Sequence, residues 1–270
     1  MRELGSRVLT SVVLIAMVLG LLLLAKAYDN PYPIALLAVV VTFICSMEFA
    51  DLFDRLGLRL ERVSLVLFNL AYITLVILFD GQYALWALTA ALLWPLLWNG
   101  IRRASAKLTL ASWFGLFYIP MLLQFAYLVV NAANGVLYLA FLLASVWAYD
   151  ICAFFVGSIW GREKLLPEVS PGKTWEGVLG GTAAVLVVNL TAPAWLPGID
   201  WSWQWVPMVL YLSIATQLGD LFESWLKRAA RIKDAGVLLP GHGGLLDRID
   251  GLLLASPVFY FYLRYVLHLL

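Results

Sequence analysis

Nine apolar runs, each close to the length that crosses a bilayer, constrain this 270-residue chain more than any other feature. They lie at about residues 8–27, 33–53, 63–79, 83–99, 112–131, 135–157, 175–195, 205–226 and 250–268. A spanning helix needs roughly 20 consecutive apolar residues, and a helix satisfies its own backbone hydrogen bonds where no water can. The breaks between runs carry turn chemistry: AYDNPYP near residue 30, FDGQY near 81, NAANG near 133 and LPGIDWSWQ near 200. A mean hydropathy of +0.89 excludes an ordinary soluble domain. Twelve Trp and twelve Tyr suit rings that favour the headgroup layer. The expectation is an all-α, polytopic integral membrane bundle of about nine transmembrane helices. Pro95 and Pro120 fall inside runs and predict kinks. The first run is followed at once by a second span, so no cleavable signal is expected.

Charge sets the orientation. With nine spans, the N-terminus and the loops 54–62, 100–111, 158–174 and 227–249 share one side, and that side holds 16 of the 18 Lys and Arg residues. Only Lys26 and Arg264 fall opposite. The positive-inside rule makes the basic side cytoplasmic and puts the C-terminus outside. Loops 54–62 and 100–111 read as topology and lipid-headgroup attraction. A net charge of +1 gives no argument for a nucleic-acid partner. Cys45 and Cys152 both sit in apolar runs and read as small buried hydrophobes rather than a disulfide or metal pair.

Against this background, residues 224–250 stand out, with eight charged side chains, a histidine and four glycines. Ionisable groups beside hydrocarbon cost several kcal/mol unless paired, solvated or metal-bound, so the segment reads as a working site. In the run before it, Ser213, Thr216, Gln217, Asp220, Glu223, Ser224 and Lys227 recur at three- and four-residue spacing. That places them on one helical face, opposite Leu, Ile and Trp. The stripe fits a polar cavity open to the cytosol, or a hydrogen-bonding seam between helices. Asp247 and Asp250 follow the turn Gly241-His242-Gly243-Gly244 and share a face if helical; capping that helix is the structural alternative. Four acids gathered from neighbouring helices repel unless something positive lies between them. Hard oxygen ligands in small number suit Mg²⁺ shared with phosphates. Lys227, Arg228, Arg231, Lys233 and Arg248 supply a cationic field for a phosphorylated ligand.

A second polar stretch, GSIWGREKLLPEVSPGKTWEG, runs from Gly157 to Gly177. Ser170, Lys173 and Thr174 lie on a Gly-Pro turn entering a helix, a placement that suits a phosphate. The Walker pattern fails for want of its first glycine, and Ser170 or Thr174 could instead cap that helix. Asp150 is an intramembrane acid, functional by default; pairing with Arg162, Lys164 or Lys173 is its structural alternative. His242, between glycines, serves either hydrogen bonding or substrate contact. The N-terminal part, 1–131, reads as scaffold, and 132–270 as the catalytic part, carrying loops 158–174 and 227–249.

The pattern Ser224, Lys227-Arg228, Lys233-Asp234, His242-Gly243-Gly244, Asp247-Arg248 and Asp250 resembles the signature of the phosphatidate cytidylyltransferases, or CDP-diacylglycerol synthases. Asp150, Phe154 and Gly157, followed by SPGKTWEG, resemble further landmarks of that family. The resemblance implies an inner-membrane enzyme, typically dimeric, that joins CTP and phosphatidic acid into CDP-diacylglycerol and pyrophosphate. It also implies Mg²⁺, with room for a monovalent cation such as K⁺. Asp220 and Asp247 are then the expected metal ligands, with Asp250 and Glu223 behind them. Lys227, Arg228 and Arg248 are expected on phosphates, and Ser170, Lys173, Thr174, Ser224, Lys233, His242, Gly243, Gly244 and Asp150 around the substrates. A cation-coupled transporter is the first alternative, weakened by the lack of an internal repeat. A different Mg²⁺-dependent lipid enzyme is the second; the Asp-Gly…Ala-Arg pattern of CDP-alcohol phosphotransferases is absent.

Overall fold

The computed structural model describes residues 2–196, 203–236 and 243–270, with side chains from Thr10 onward. Every apolar run becomes helical. The helices are α1 (Arg2–Ala27), α2 (Tyr32–Arg55), α3 (Arg62–Leu78), α4 (Ala84–Ile101), α5 (Ala106–Leu116), α6 (Leu122–Val130), α7 (Gly135–Trp160), α8 (Trp175–Thr191), α9 (Trp205–Ala229) and α10 (Leu246–Tyr265). Among the described residues, seven segments are long and apolar enough to cross a membrane, and the chain is a polytopic helical membrane protein. The expected count was about nine. The difference lies in α3, which is apolar but only 17 residues long, and in α10, whose ends carry Asp247, Arg248, Asp250 and Arg264.

The fifth run starts at Ala106, six residues earlier than expected, and is split by a π-helical turn, Phe117–Met121, between α5 and α6. Pro120 sits in that turn. A proline lacks the N–H and crowds the preceding carbonyl, and one wide turn absorbs both defects. Pro95 lies inside an uninterrupted α4. One turn before it, the Leu92 carbonyl accepts the Trp113 indole N–H at 2.7 Å, so a neighbouring helix supplies a partner where the proline ring disturbs the ladder.

The chain divides into two compact units, residues 1–128 with 229–249 and residues 129–228 with 250–270. In the first, Phe49 stacks on Phe53 at 4.3 Å between centroids and meets Phe114 at 5.5 Å. Buried polar side chains tie its helices together: Asn69 Nδ2 donates to Ser46 Oγ at 2.8 Å, and the Tyr72 hydroxyl to Gln124 Oε1 at 2.9 Å. In hydrocarbon such bonds replace water as partners. The loop 229–249 belongs to this unit, with the N-terminal helices, although the sequence groups it with the C-terminal half.

In the second unit, α7 and α8 pack closely because α8 presents glycine to α7. A Cβ at Gly181 would lie 2.8 Å from the Tyr149 ring, and one at Gly177 would lie 2.8 Å from the Ala153 carbonyl oxygen. The Tyr149 hydroxyl donates to Gln217 Oε1 of α9 at 3.0 Å. The loop 158–174 contains an antiparallel hairpin, β1 (Lys164–Leu166) and β2 (Ser170–Thr174), with Lys164 opposite Thr174 and Leu166 opposite Ser170. Thr174 ends β2 and caps α8, its hydroxyl oxygen accepting the Gly177 N–H at 3.1 Å. Thr174→Val keeps the shape and removes the acceptor, so it should cost about 1 kcal/mol. A drop of roughly 2–4 °C in the thermal midpoint in detergent would register that loss, and an unchanged midpoint would show that the cap contributes nothing.

Candidate active site

The polar stripe of α9 turns inward. Ser213, Thr216 and Glu223 are buried, whereas Leu210, Ile214, Leu218 and Trp225 on the other face are about half exposed. This is amphipathicity inverted for lipid: apolar side chains lie outside, and the polar face must find partners within the protein.

Those partners come from the hairpin, from α7, from α9 itself and from α10. Emerging from β2, Lys173 places its Nζ 2.6 Å from Asp220 Oδ2. Ser224 Oγ donates to the other oxygen of the same carboxylate at 3.3 Å. One turn further on, Lys227 Nζ lies 3.3 Å from Glu223 Oε2; the Glu223 side chain is fully buried and that of Lys227 is 13% exposed. Asp250, also buried, lies beside Glu223, and its Oδ1 accepts the Gly251 N–H at 2.7 Å. Arg228 Nε donates to the Val169 carbonyl at 3.3 Å, which ties the end of α9 to the hairpin turn. Six of the residues singled out in the sequence, Lys173, Asp220, Glu223, Ser224, Lys227 and Asp250, therefore meet in the second unit. Two lysines, Lys173 and Lys227, stand among three of the four acids. Lys173, a candidate partner for Asp150, sits on Asp220; Asp150 itself lies exposed on α7. Ser170 is half-buried in β2, and Thr174 is occupied as a cap.

A different cluster forms in the first unit. Asp247, in the first turn of α10, accepts the N–H groups of Ala235 at 2.9 Å and Gly244 at 2.8 Å through one oxygen, Oδ2. It thereby holds the two ends of the loop together, a fuller role than capping a helix. Gly243 has φ +79°, in the left-handed region that a side chain disfavours. Lys233, Asp234 and Arg248 are exposed. His242 lies outside the described residues. The basic loops 54–62 and 100–111 are tied down by surface ion pairs, Arg62 to Asp51 at 2.7 Å and to Asp54 at 2.5 Å, and Arg102 to Glu61 at 2.5 Å.

One residue escaped the reading of the sequence. Glu48, near the end of α2, is 6% exposed and accepts the N–H groups of Leu245 at 2.9 Å and Leu246 at 2.8 Å. Its signal was available, since a carboxylate inside an apolar run is functional by default.

Among the described residues no three His, Cys, Asp or Glu side chains gather as a dedicated metal cage. The donors present are carboxylate oxygens, and Mg²⁺ commonly takes one or two of these and completes its shell with water and substrate phosphates. The donor chemistry thus fits a hard cation such as Mg²⁺ and does not fit a softer metal.

A protein from Brucella suis biovar 1 named phosphatidate cytidylyltransferase is 44% identical over 149 residues, 55% of each chain. One of the same name from Bacillus subtilis is 44% identical over 133 residues, 48% of each chain. Another, from Mycobacterium leprae, is 38% identical over 168 residues, 62% of this chain and 52% of that protein. The matched part of the chain spans about half the length of these curated relatives. The model of the cytidylyltransferase family, by contrast, matches residues 5–266, nearly the whole sequence, and the chain belongs to that family.

Proposed function

We propose that this membrane protein transfers CMP from CTP to phosphatidic acid, giving CDP-diacylglycerol and pyrophosphate. The observation that carries the reading is the junction of Lys173 with the α9 stripe, 2.6 Å from Asp220. It brings the SPGKT turn and the signature helix, far apart in sequence, to one charged locus. Names carried by the relatives supply the substrates.

In this reaction an anionic phosphate oxygen of the lipid attacks the α-phosphorus of CTP. A new P–O bond forms, the bond from the α-phosphorus to the oxygen bridging α and β breaks, and pyrophosphate leaves with the electron pair. The nucleophile needs no side-chain base, because it is already ionised near neutral pH. The work is to bring two polyanions together and to hold charge where it develops. Asp220 and Glu223 hold the ammonium groups of Lys173 and Lys227 in place, so these cations are oriented before substrate arrives. Lys227, Arg228, Lys233 and Arg248 are assigned to phosphates, with Ser170, Ser224, Gly243 and Gly244 as hydrogen-bonding groups around them. The sequence pattern assigns Asp220 and Asp247 to Mg²⁺, which would supply charge neutralisation on the polyphosphate.

The lipid tails would remain in the bilayer while CTP arrives from the cytosol, on the side that carries the basic loops. Placement in a bacterial inner membrane, with the N-terminus cytoplasmic, and assembly as a homodimer belong to the same proposal.

Purified protein in micelles containing phosphatidic acid and labelled CTP tests it. Labelled CDP-lipid should appear only when Mg²⁺ and phosphatidic acid are both present. Folded protein that consumes no CTP would overturn the assignment.

A further inference from the structure

Glu48 lies in the N-terminal half of the chain, within an apolar helix, and none of the functional roles above uses it. A buried carboxylate in such a run is costly unless its charge is met. Among the described residues it makes no ion pair within 4.0 Å with a Lys or Arg. What meets it instead is backbone: the N–H groups of Leu245 and Leu246, at the entrance to α10. These are groups that a helix start leaves without an internal partner, and they carry the positive end of the helix dipole. The loop also leaves room for the carboxylate from both sides. A Cβ at Gly236 would stand 2.5 Å from Glu48 Oε1, and one at Gly244 would stand 2.7 Å from Oε2. The carboxylate therefore occupies the space between the outgoing and returning arms of the loop, whose ends Asp247 joins through Ala235 and Gly244.

From this geometry we infer that Glu48 is a positioning residue, the post on which the signature loop closes. It sets the place of Asp247 and Arg248, and of Lys233 and Asp234 on the other arm, and so makes α2 part of the catalytic apparatus. The inference rests on the proposed cytidylyl transfer for its kinetic consequence, but not for the contact itself. Here the two N–H donors use the two oxygens separately, Leu245 on Oε1 and Leu246 on Oε2, and an amide offers only one oxygen. Glu48→Gln keeps the volume, turns one donor against an NH₂ group and removes the charge at the helix start.

The test uses the full-length protein in micelles. Glu48→Gln should lower kcat/KM roughly 10–100-fold, as loss of an orienting contact does, with KM for CTP rising as well as kcat falling. In parallel, trypsin should cut at the exposed Arg231 and Lys233 faster than in wild type. If Glu48→Gln does not fold, Gly236→Ala reaches the same contact from the loop side, its Cβ meeting only Glu48, and should show the same kinetic and proteolytic changes. Where both fold, the double variant should be no worse than the poorer single one, because both break one contact. Wild-type cleavage and wild-type kinetics in Glu48→Gln would overturn the inference. So would losses that multiply in the double variant, or a lower thermal midpoint with unchanged KM and kcat. The trypsin comparison needs no substrate, so a wild-type protein inactive on phosphatidic acid and CTP would sink the proposed reaction and leave the loop contact separately decided.

Discussion

Asp220→Asn should lower turnover about a thousandfold and leave the protein folded. The magnitude follows from two losses at one carboxylate. Its Oδ2 holds Lys173 at 2.6 Å, and its charge is what the proposed Mg²⁺ would need. If these together supply about 4 kcal/mol of transition-state stabilisation, removing them costs about a thousandfold in rate. The fold should survive because the Asp220 side chain is 38% exposed and asparagine keeps one oxygen, which the Ser224 hydroxyl can still use. A partly exposed ion pair contributes little to stability. Steady-state rates and a thermal midpoint, measured on the same preparation, check both halves. A folded Asp220→Asn protein with more than a tenth of wild-type turnover would remove Asp220 from the proposed metal and phosphate chemistry.

Gly219→Ala should do the opposite, damaging the fold first. Gly219 is one residue before Asp220, where α9 meets α10. A Cβ there would stand 2.3 Å from the Asp250 carbonyl oxygen and 2.9 Å from the Gly251 Cα. Both obstacles are backbone, so no side chain can turn aside and the two helices must separate. Overpacking of this kind costs typically 1–3 kcal/mol, and a backbone clash belongs at or above the upper end. Separation would also draw Asp250 away from Glu223, so activity should fall with stability. Gly20, in α1, has nothing within 4 Å of the same added atom. Gly20→Ala should therefore hold or raise the midpoint through helix propensity. Equal midpoints for the two variants would mean that α9 and α10 are not in close contact at Gly219.

The contrast between these neighbouring positions reflects what a sequence can and cannot convey. The stripe from Ser213 to Lys227 was legible because helical geometry alone turns a three- and four-residue spacing into a face. Its burial followed from cost, since charged groups beside lipid must turn inward. Most helix boundaries were legible within about four residues, but α1 and α5 start six residues early, and the π-turn that absorbs Pro120 is announced by no periodicity. Asp247 was legible as an important acid but not in its particular work, because its partners Ala235 and Gly244 are backbone groups whose positions depend on the closed loop.

By itself, then, the sequence determined that this is a helical membrane protein with two unusual polar segments, 157–177 and 224–250, among its apolar runs, and its motif pointed to cytidylyl transfer. Those conclusions rest on hydropathy, spacing and residue type, which are properties of neighbours along the chain. Only the tertiary structure decided that Lys173 meets Asp220 across 47 residues, and that Glu48 holds Leu245 and Leu246 across nearly two hundred. Such contacts are fixed by how helices pack and where loops return. A carboxylate chooses its partner by the donors that come within about 3 Å of it, and separation in sequence does not set that distance.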